Sequence, residues 1–302
     1  MHCLELSVLL HRALEDRVGK LMSELSTPEW QEDPEGLHAV RVASRRARAV
    51  LDLVEPGLYP GFKRQGRKLR ALTRALGRTR EMDVHIAILE EMGLLAPELG
   101  GSAGMEHALE AIERRRRRAR RTMARELAPL NLKHLPQLLA VPSLPDPFRM
   151  GDPAGAIWSC LEPWLEGAFP GGTLLDQEDA RALHALRIRV KRLRYTLEVL
   201  APGFGTAPEA QLKHLRAVQT ALGSHHDRAT LEALLTGLHR GLEARGRAVL
   251  GAGVLDLLAQ LGEERLIAFE HFRALAVRTP EEGFIRTLRH DLGLEPGGAE
   301  AP

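Results

Sequence analysis

HAVRVASRRARAVLDLV at residues 38–54 and HALRIRVKRLRYTLEVL at residues 184–200 are two copies of one segment. The match extends without a gap from Leu37–Leu89 onto Leu183–Leu235 at a constant offset of 146 residues, and 18 of those 53 pairs are identical, which marks an internal duplication. Val40, Ala43, Ala47, Val50, Leu51 and Val54 recur at the helical period and define an apolar stripe. The residues kept between the copies are of another kind: His38 over His184, Arg41 over Arg187, Arg46 over Arg192, Arg48 over Arg194, Arg70 over Arg216 and Gly77 over Gly223, while Arg45 is replaced by Lys191.

Outward from these segments, the apolar period stays close to 3.6 along nearly all of the 302 residues, and alternating β-branched runs are missing. The chain therefore reads as all-α. Helices are expected from about Leu4 to Leu25, from Pro34 to before Pro56, and from Gly61 through Gly77 towards Met92. A further long helix is expected over Met105–Leu127, with a shorter one to Leu139. After a break, Ala154–Phe169, Glu178–Leu200, Pro208 to about Arg240 and Ala248–Val277 mirror the first set. Four prolines between Val141 and Pro153 mark a linker between the halves. The expected organisation is one domain over 1–290, made of an N-terminal half 1–140 and a C-terminal half 154–290 joined by the proline-rich linker 141–153. Residues 291–302 read as a disordered tail. Two four-helix bundles related by a pseudo-twofold axis and enclosing a basic cleft are the natural architecture.

The formal charge of +2 hides its distribution. Residues 37–80 hold 12 Lys/Arg against 2 Asp/Glu, and residues 183–228 hold 8 against 3, so positive charge is focused in the repeat on a near-neutral protein. Arg outnumbers Lys 36 to 6, which reflects general Arg usage, but usage does not explain clustering. Cys3 and Cys160 have no ligand spacing, so neither a zinc site nor a disulfide framework is expected, and a reducing cytoplasm is the default. No leader and no uncharged apolar stretch of about 18 residues is legible, so neither export nor a membrane span is expected.

On a wheel of about 100° per residue, His38, Arg41, Arg45 and Arg48 fall within about 80° of one another, opposite the apolar stripe. His184, Arg187, Lys191 and Arg194 repeat that face. On the following helix Arg67, Arg70, Arg74 and Arg78 form a second stripe, of which the other copy keeps Lys213 and Arg216. Like charges at these spacings repel by about 0.2–0.5 kcal/mol per pair. No interleaved Glu relieves it, and a neutralising ion from outside would. Successive cations stand about one helical pitch, 5.4 Å, apart, which suits a linear polyanion bound by Arg forks and Lys point charges. An ordinary solvated face is the alternative. The two histidines are candidate phosphate donors, strengthened by protonation near an ordinary pKa of about 6.5.

The pairing of HxxR(V/I)xxxR with ALGxxx(D/E) at the same distance in both halves resembles the CHAD family, named for its histidine-containing α-helical domain. The resemblance covers roughly Leu4 to Leu288. It implies pseudo-symmetric helical bundles around a basic cleft and the binding of inorganic polyphosphate, with His38, Arg41, Arg45, Arg48, Arg70, Arg74, His184, Arg187, Lys191, Arg194, Lys213 and Arg216 on the motif helices. Where the family usually carries Asp in LGxxRD, this chain has Glu81 in the first copy and His226-Asp227 in the second. The ExExK signature of a triphosphate tunnel (CYTH) domain, often fused to family members, is absent, so the resemblance implies a stand-alone module.

The expected function is thus non-catalytic polyphosphate binding, for storage, granule targeting or scaffolding of polyphosphate-metabolising enzymes, with no cofactor and no metal. Non-specific nucleic-acid binding stays open as the rival, weakened by 4% aromatic content. A metal-dependent polyphosphate or nucleotide phosphohydrolase is the enzymatic rival. His226-Asp227 looks like part of a metal-binding HD pair, but it aligns with Arg80-Glu81, and His225 reads as a surface or cap residue. Arg114–Arg118 with Arg120 and Arg121 form the densest basic run. Consecutive helical residues point all round, so only a subset such as Arg114, Arg117 and Arg121 would extend the cleft's rim.

Overall fold

The computed structural model describes residues 4–54, 62–141 and 153–294. Most of the expected linker and the tail from residue 295 lie outside the described residues. The described residues are helical throughout, without strands: α1 Leu4–Ser26, α2 Pro34–Val54, α3 Lys63–Ala75, α4 Gly77–Leu95, α5 Pro97–Gly100, α6 Ala103–Leu127, α7 Leu135–Leu138, α8 Pro153–Leu165, α9 Gly172–Asp176, α10 Ala180–Leu200, α11 Glu209–Glu243, α12 Ala248–Arg278 and α13 Glu281–Asp291.

The duplicated helices begin by the same device. Asp33 carboxylate oxygens accept from the amides of Glu35 and Gly36, at 3.3 and 2.8 Å, at the start of α2. Asp179, 146 residues on, accepts from Arg181 and Ala182 at 2.8 and 3.2 Å at the start of α10. Such caps satisfy amides that have no intrahelical partner. Both helices then bury the stripe read from sequence, Leu37, Val40, Ala47 and Val50 in α2 and Leu183, Leu186, Val190 and Leu193 in α10.

Three expectations need correction. The long third helix is two, α3 and α4, separated at Leu76. Arg41 Nη1 donates at 2.7 Å to the carbonyl of Thr73, which an unbroken helix would offer to the amide of Gly77. The equivalent α11 runs straight past Gly223 for 35 residues. The shorter helix towards Leu139 is two 3₁₀ turns, Ala128–Leu130 and Leu132–His134, followed by α7, because Pro129, Pro136 and left-handed Asn131 interrupt it. The unforeseen α13 follows Pro280, carries Glu281 and Glu282 in its first turn and Arg289 and His290 in its last, and buries Phe284 and Leu288. The Phe284 ring meets Phe169 edge-on, with centroids 5.1 Å apart.

The apolar residues form two clusters, and neither belongs to one half of the sequence. One joins α1, α2 and α3 to α8, α10, α13 and the first part of α11. The other joins α4 and the first part of α6 to the last part of α11 and the first part of α12. In the second cluster α6 and α12 approach backbone to backbone at Gly104 and Gly253: a Cβ on Gly253 would lie 2.9 Å from the Gly104 Cα. The cationic segment of the repeat lies where the two clusters adjoin, on α2, α10 and the α3–α4 and α11 helices that pack beside them.

Candidate functional site

Helices α2 and α10 lie side by side with their basic faces turned to the same seam. Arg46 Nη2 stands 3.9 Å from Glu198, and Arg192 Nη2 stands 3.9 Å from Asp52. Both partners are related by the 146-residue offset, so the pairs are reciprocal under the duplication. The glycines kept by the duplication obey the same relation. A Cβ on Gly77 would stand 3.6 Å from Arg41, and one on Gly223 would stand 3.6 Å from Arg187.

A cavity of about 560 Å³ opens beside this seam. His38, Arg41 and Arg45 enter it from α2, Arg74 from α3, Arg78 and Arg80 from α4, and Arg187 from α10. Arg45 also lines a narrow pocket with Arg48, Lys191, Arg192 and Asp52, and Asp52 lines a third pocket with Lys63, Arg67 and Arg70. The first two share Arg45 and the last two share Asp52, so the three adjoin and together form a mainly basic track.

Crowding of cations shows in their acidities. Lys191 is pushed down to about 7 by burial, and by Arg45, Arg187, Arg41 and Arg48 around it. Arg41 is lowered to about 10 by burial and by Arg45, Arg187 and Arg80, and burial likewise lowers Arg45 and Arg48. His38 lies below its ordinary value through burial and the nearby Arg80, and His184 through burial and Arg187. The expectation of histidines titrating near their ordinary value therefore changes: both are biased to the neutral form.

Ten of the fourteen candidate residues line the track: His38, Arg41, Arg45, Arg74, Arg78 and Arg187 in the cavity, Arg48 and Lys191 in the pocket beside it, Arg67 and Arg70 beyond. Four line none of these three pockets. His184 stands against His226, with their Nδ1 atoms 3.2 Å apart. Arg194 is buried and donates at 2.8 Å to both Gln219 and Glu198. Arg216 is exposed, 3.8 Å from Glu198, and Lys213 is exposed on the same helix.

Arg80, Glu81, His85, His226, Asp227 and Thr230, none of them among the fourteen candidates, also line the cavity. The signal was present: Arg80-Glu81 and His226-Asp227 occupy equivalent positions just after the retained glycines. His225 is not a surface residue. It is 1% exposed and bonded to Glu178, which also pairs with Arg265. The α6 run contributes Ala119, Thr122, Met123 and Glu126 to the cavity, and none of Arg114, Arg117 or Arg121. Arg114 pairs with Glu110, Arg116 with buried Asp83 at 2.8 Å, and Arg120 with Glu32. Among the described residues no three His, Cys, Asp or Glu side chains converge as a metal cage. No helix among them is long and apolar enough to cross a membrane.

A model of the CHAD domain matches residues 12–236, well over half of the chain. The chain belongs to the CHAD family. Solved CHAD-like structures share its fold at low sequence identity. PptA from Streptomyces chartreusis superposes with a TM-score of 0.66 at 18% identity, covering 89% of this chain and 98% of that one. The CHAD domain from the plant Ricinus communis gives 0.57 at 21% identity, covering 96% of this chain and 92% of that one. No curated protein matches. CHAD domains are known to bind polyphosphate, which ties this chain to a polyphosphate-related role.

Proposed function

We propose that this CHAD protein binds inorganic polyphosphate along the α2/α10 track and holds it without turning it over. The observation that carries the reading is the meeting of Arg41, Arg45 and Arg48 with Arg187 and Lys191, crowded enough that the lysine sits near pH 7. Such a cluster is costly by itself, and a polyanion entering it supplies the missing countercharge. Phosphate oxygens suit Arg forks through charge-assisted hydrogen bonds. A chain of phosphates follows a track of linked pockets, where a single nucleotide fills one of them.

The nucleic-acid alternative is disfavoured by the lining. The main cavity has no Phe, Tyr or Trp on which a base would stack, and Trp164 and Tyr195 lie in the narrow pocket of about 30 Å³. Storage, granule targeting or presentation of the polymer to polyphosphate-metabolising enzymes are the roles a non-catalytic binder fills, in the cytoplasm where the polymer is made available to it.

The test is competition at one fixed physiological salt concentration, since affinities for polyanions shift steeply with salt. Labelled long-chain polyphosphate is displaced by tripolyphosphate, ATP, RNA or duplex DNA. Tight binding that nucleic acids displace poorly supports the reading; equal displacement by RNA or DNA overturns it. Release of orthophosphate with added divalent metal would overturn the non-catalytic part alone.

A further inference from the structure

The arginines of α6 fall into two kinds. Arg114, Arg116 and Arg120 pair with Glu110, Asp83 and Glu32. Arg115, Arg117, Arg118 and Arg121 are exposed, and none of them closes an ion pair or donates a hydrogen bond among the described residues. Arg115 and Arg118, and Arg118 and Arg121, are three residues apart, a spacing at which like charges on a helix repel.

Two contacts show how α6 runs beside α4. Asp83 receives Arg116 at 2.8 Å, and a Cβ on Gly93 would stand 3.7 Å from the Met105 side chain. Later residues of α4 meet earlier residues of α6, so the helices are antiparallel. The basic cavity is lined by α4 as far as His85 and by α6 from Ala119 to Glu126. At about 100° per residue, Ala119, Thr122 and Glu126 lie within about 40° of the direction of Arg115, which precedes Ala119 by one turn. Arg115 therefore continues the α6 wall at the level where His85 ends the α4 wall. Its charge reaches the cavity: His85, 1% exposed, is pushed down to about 4 by burial and by Arg115. The opposite end of the α6 wall carries Glu126, which repels an anion.

Arg118 stands one turn before Thr122 and about 60° round the helix from Arg115. Arg121 and Arg117 lie about 120° and 160° from Arg115, on the outer face. We propose that a polyphosphate chain longer than the cavity leaves it across α6 over Arg115 and Arg118, and that these two arginines make the protein favour long chains over short ones. Arg115 takes phosphates at the mouth, and Arg118 takes those further out, about 4.5 Å along the helix axis. A short chain ends inside the cavity among Arg41, Arg45 and Arg187 and touches neither. This inference rests on the polyphosphate reading of the cavity.

The experiment measures affinity for long-chain polyphosphate and for tripolyphosphate, over one salt series, in wild type, Arg115→Gln/Arg118→Gln and Arg117→Gln/Arg121→Gln. Both variants lose the same charge from exposed positions of one helix, and Gln forms helix about as well as Arg, so both should keep the wild-type thermal midpoint. In Arg115→Gln/Arg118→Gln the long chain binds several-fold more weakly, and the slope of log affinity against log salt falls by about two units. Tripolyphosphate binds to it as to wild type. In Arg117→Gln/Arg121→Gln both ligands bind nearly as in wild type. Three results overturn the inference: an unchanged long-chain affinity in Arg115→Gln/Arg118→Gln, the same weakening in both variants, or an equal loss for tripolyphosphate. A wild type that binds neither ligand overturns the polyphosphate reading instead.

Discussion

Arg46 and Glu198 lie 3.9 Å apart across the seam between the two halves, and Arg192 and Asp52 repeat the pair at the same distance. The repeated pair marks the register in which α2 and α10 meet, with the basic face of each beside the other. The two acids nevertheless do unequal work. Glu198 also receives buried Arg194 at 2.8 Å and Arg216 at 3.8 Å, whereas Asp52 closes no other ion pair among the described residues. Glu198 therefore gathers three arginines, Arg46, Arg194 and Arg216, two of them from the second half, while Asp52 receives Arg192.

Removing the two acids should separate these roles. Glu198→Ala strips the carboxylate from Arg194, and breaking a buried pair costs about 3 kcal/mol or somewhat more. Asp52→Ala loses a half-exposed pair worth less than about 1 kcal/mol. Urea denaturation of both variants measures the difference, and equal losses would contradict the buried assignment of Arg194.

Binding should divide along the same line. Arg45 lines both the main cavity and the pocket beside it, while Lys213 lines none of the three pockets. A charge-assisted bond contributes about 1.5–3 kcal/mol, so Arg45→Ala is expected to weaken polyphosphate about ten- to hundredfold. The slope of log affinity against log salt should fall by about one unit. Lys213→Ala should change the affinity less than twofold. A salt series on the three proteins decides it, and equal losses would move the binding surface outside the track.

Much of this was legible in sequence because duplication and helical period are local signals. The apolar stripe Leu37, Val40, Ala47, Val50 and the basic stripe of α2 followed from spacing alone. What spacing does not carry is partnership across the fold. Arg194 shares the helix face of Arg187, yet Gln219 and Glu198 claim it. His226 and Asp227 resemble a metal-binding HD pair in sequence, and only the placing of α11 against α4 makes them cavity wall. The division of the third helix depends on Arg41 reaching the Thr73 carbonyl, a contact 32 residues distant in sequence.

The crossing of α6 and α12 offers a stability test away from the track. A methyl group on Gly253 would stand 2.9 Å from the Gly104 Cα, against backbone that cannot rotate aside. Overpacking of this kind costs about 1–3 kcal/mol. Gly253→Ala should lower the denaturation midpoint while polyphosphate affinity, measured where the protein is folded, stays unchanged. Gly262→Ala on the same helix, with nothing near its Cβ position, is the control and should not destabilise.

Lys191 gives the binding a pH dependence whose sign can be worked out. In the free protein its pKa is about 7 against an ordinary 10.5, and Arg41, Arg45, Arg48 and Arg187 around it carry fixed charge across that range. A bound polyanion favours the ammonium and raises the value. Between the free and bound values, binding takes up a proton, so affinity rises as pH falls through that interval and levels off below the free value of about 7. In the free protein His226, lowered to about 4, and His38 and His184, both lowered, lie below that window. The slope is at most about one log unit of affinity per pH unit. In the free protein the lowered lysine acts in the opposite sense: between about 7 and 10.5 the unfolded chain holds the proton that the fold excludes, so this group's contribution to stability rises with pH. Lys191→Met should flatten both dependences. Affinity and thermal midpoint recorded from pH 7 to 9.5 for the two proteins test it, and a pH dependence that persists unchanged in Lys191→Met would place the titrating group elsewhere in the cavity.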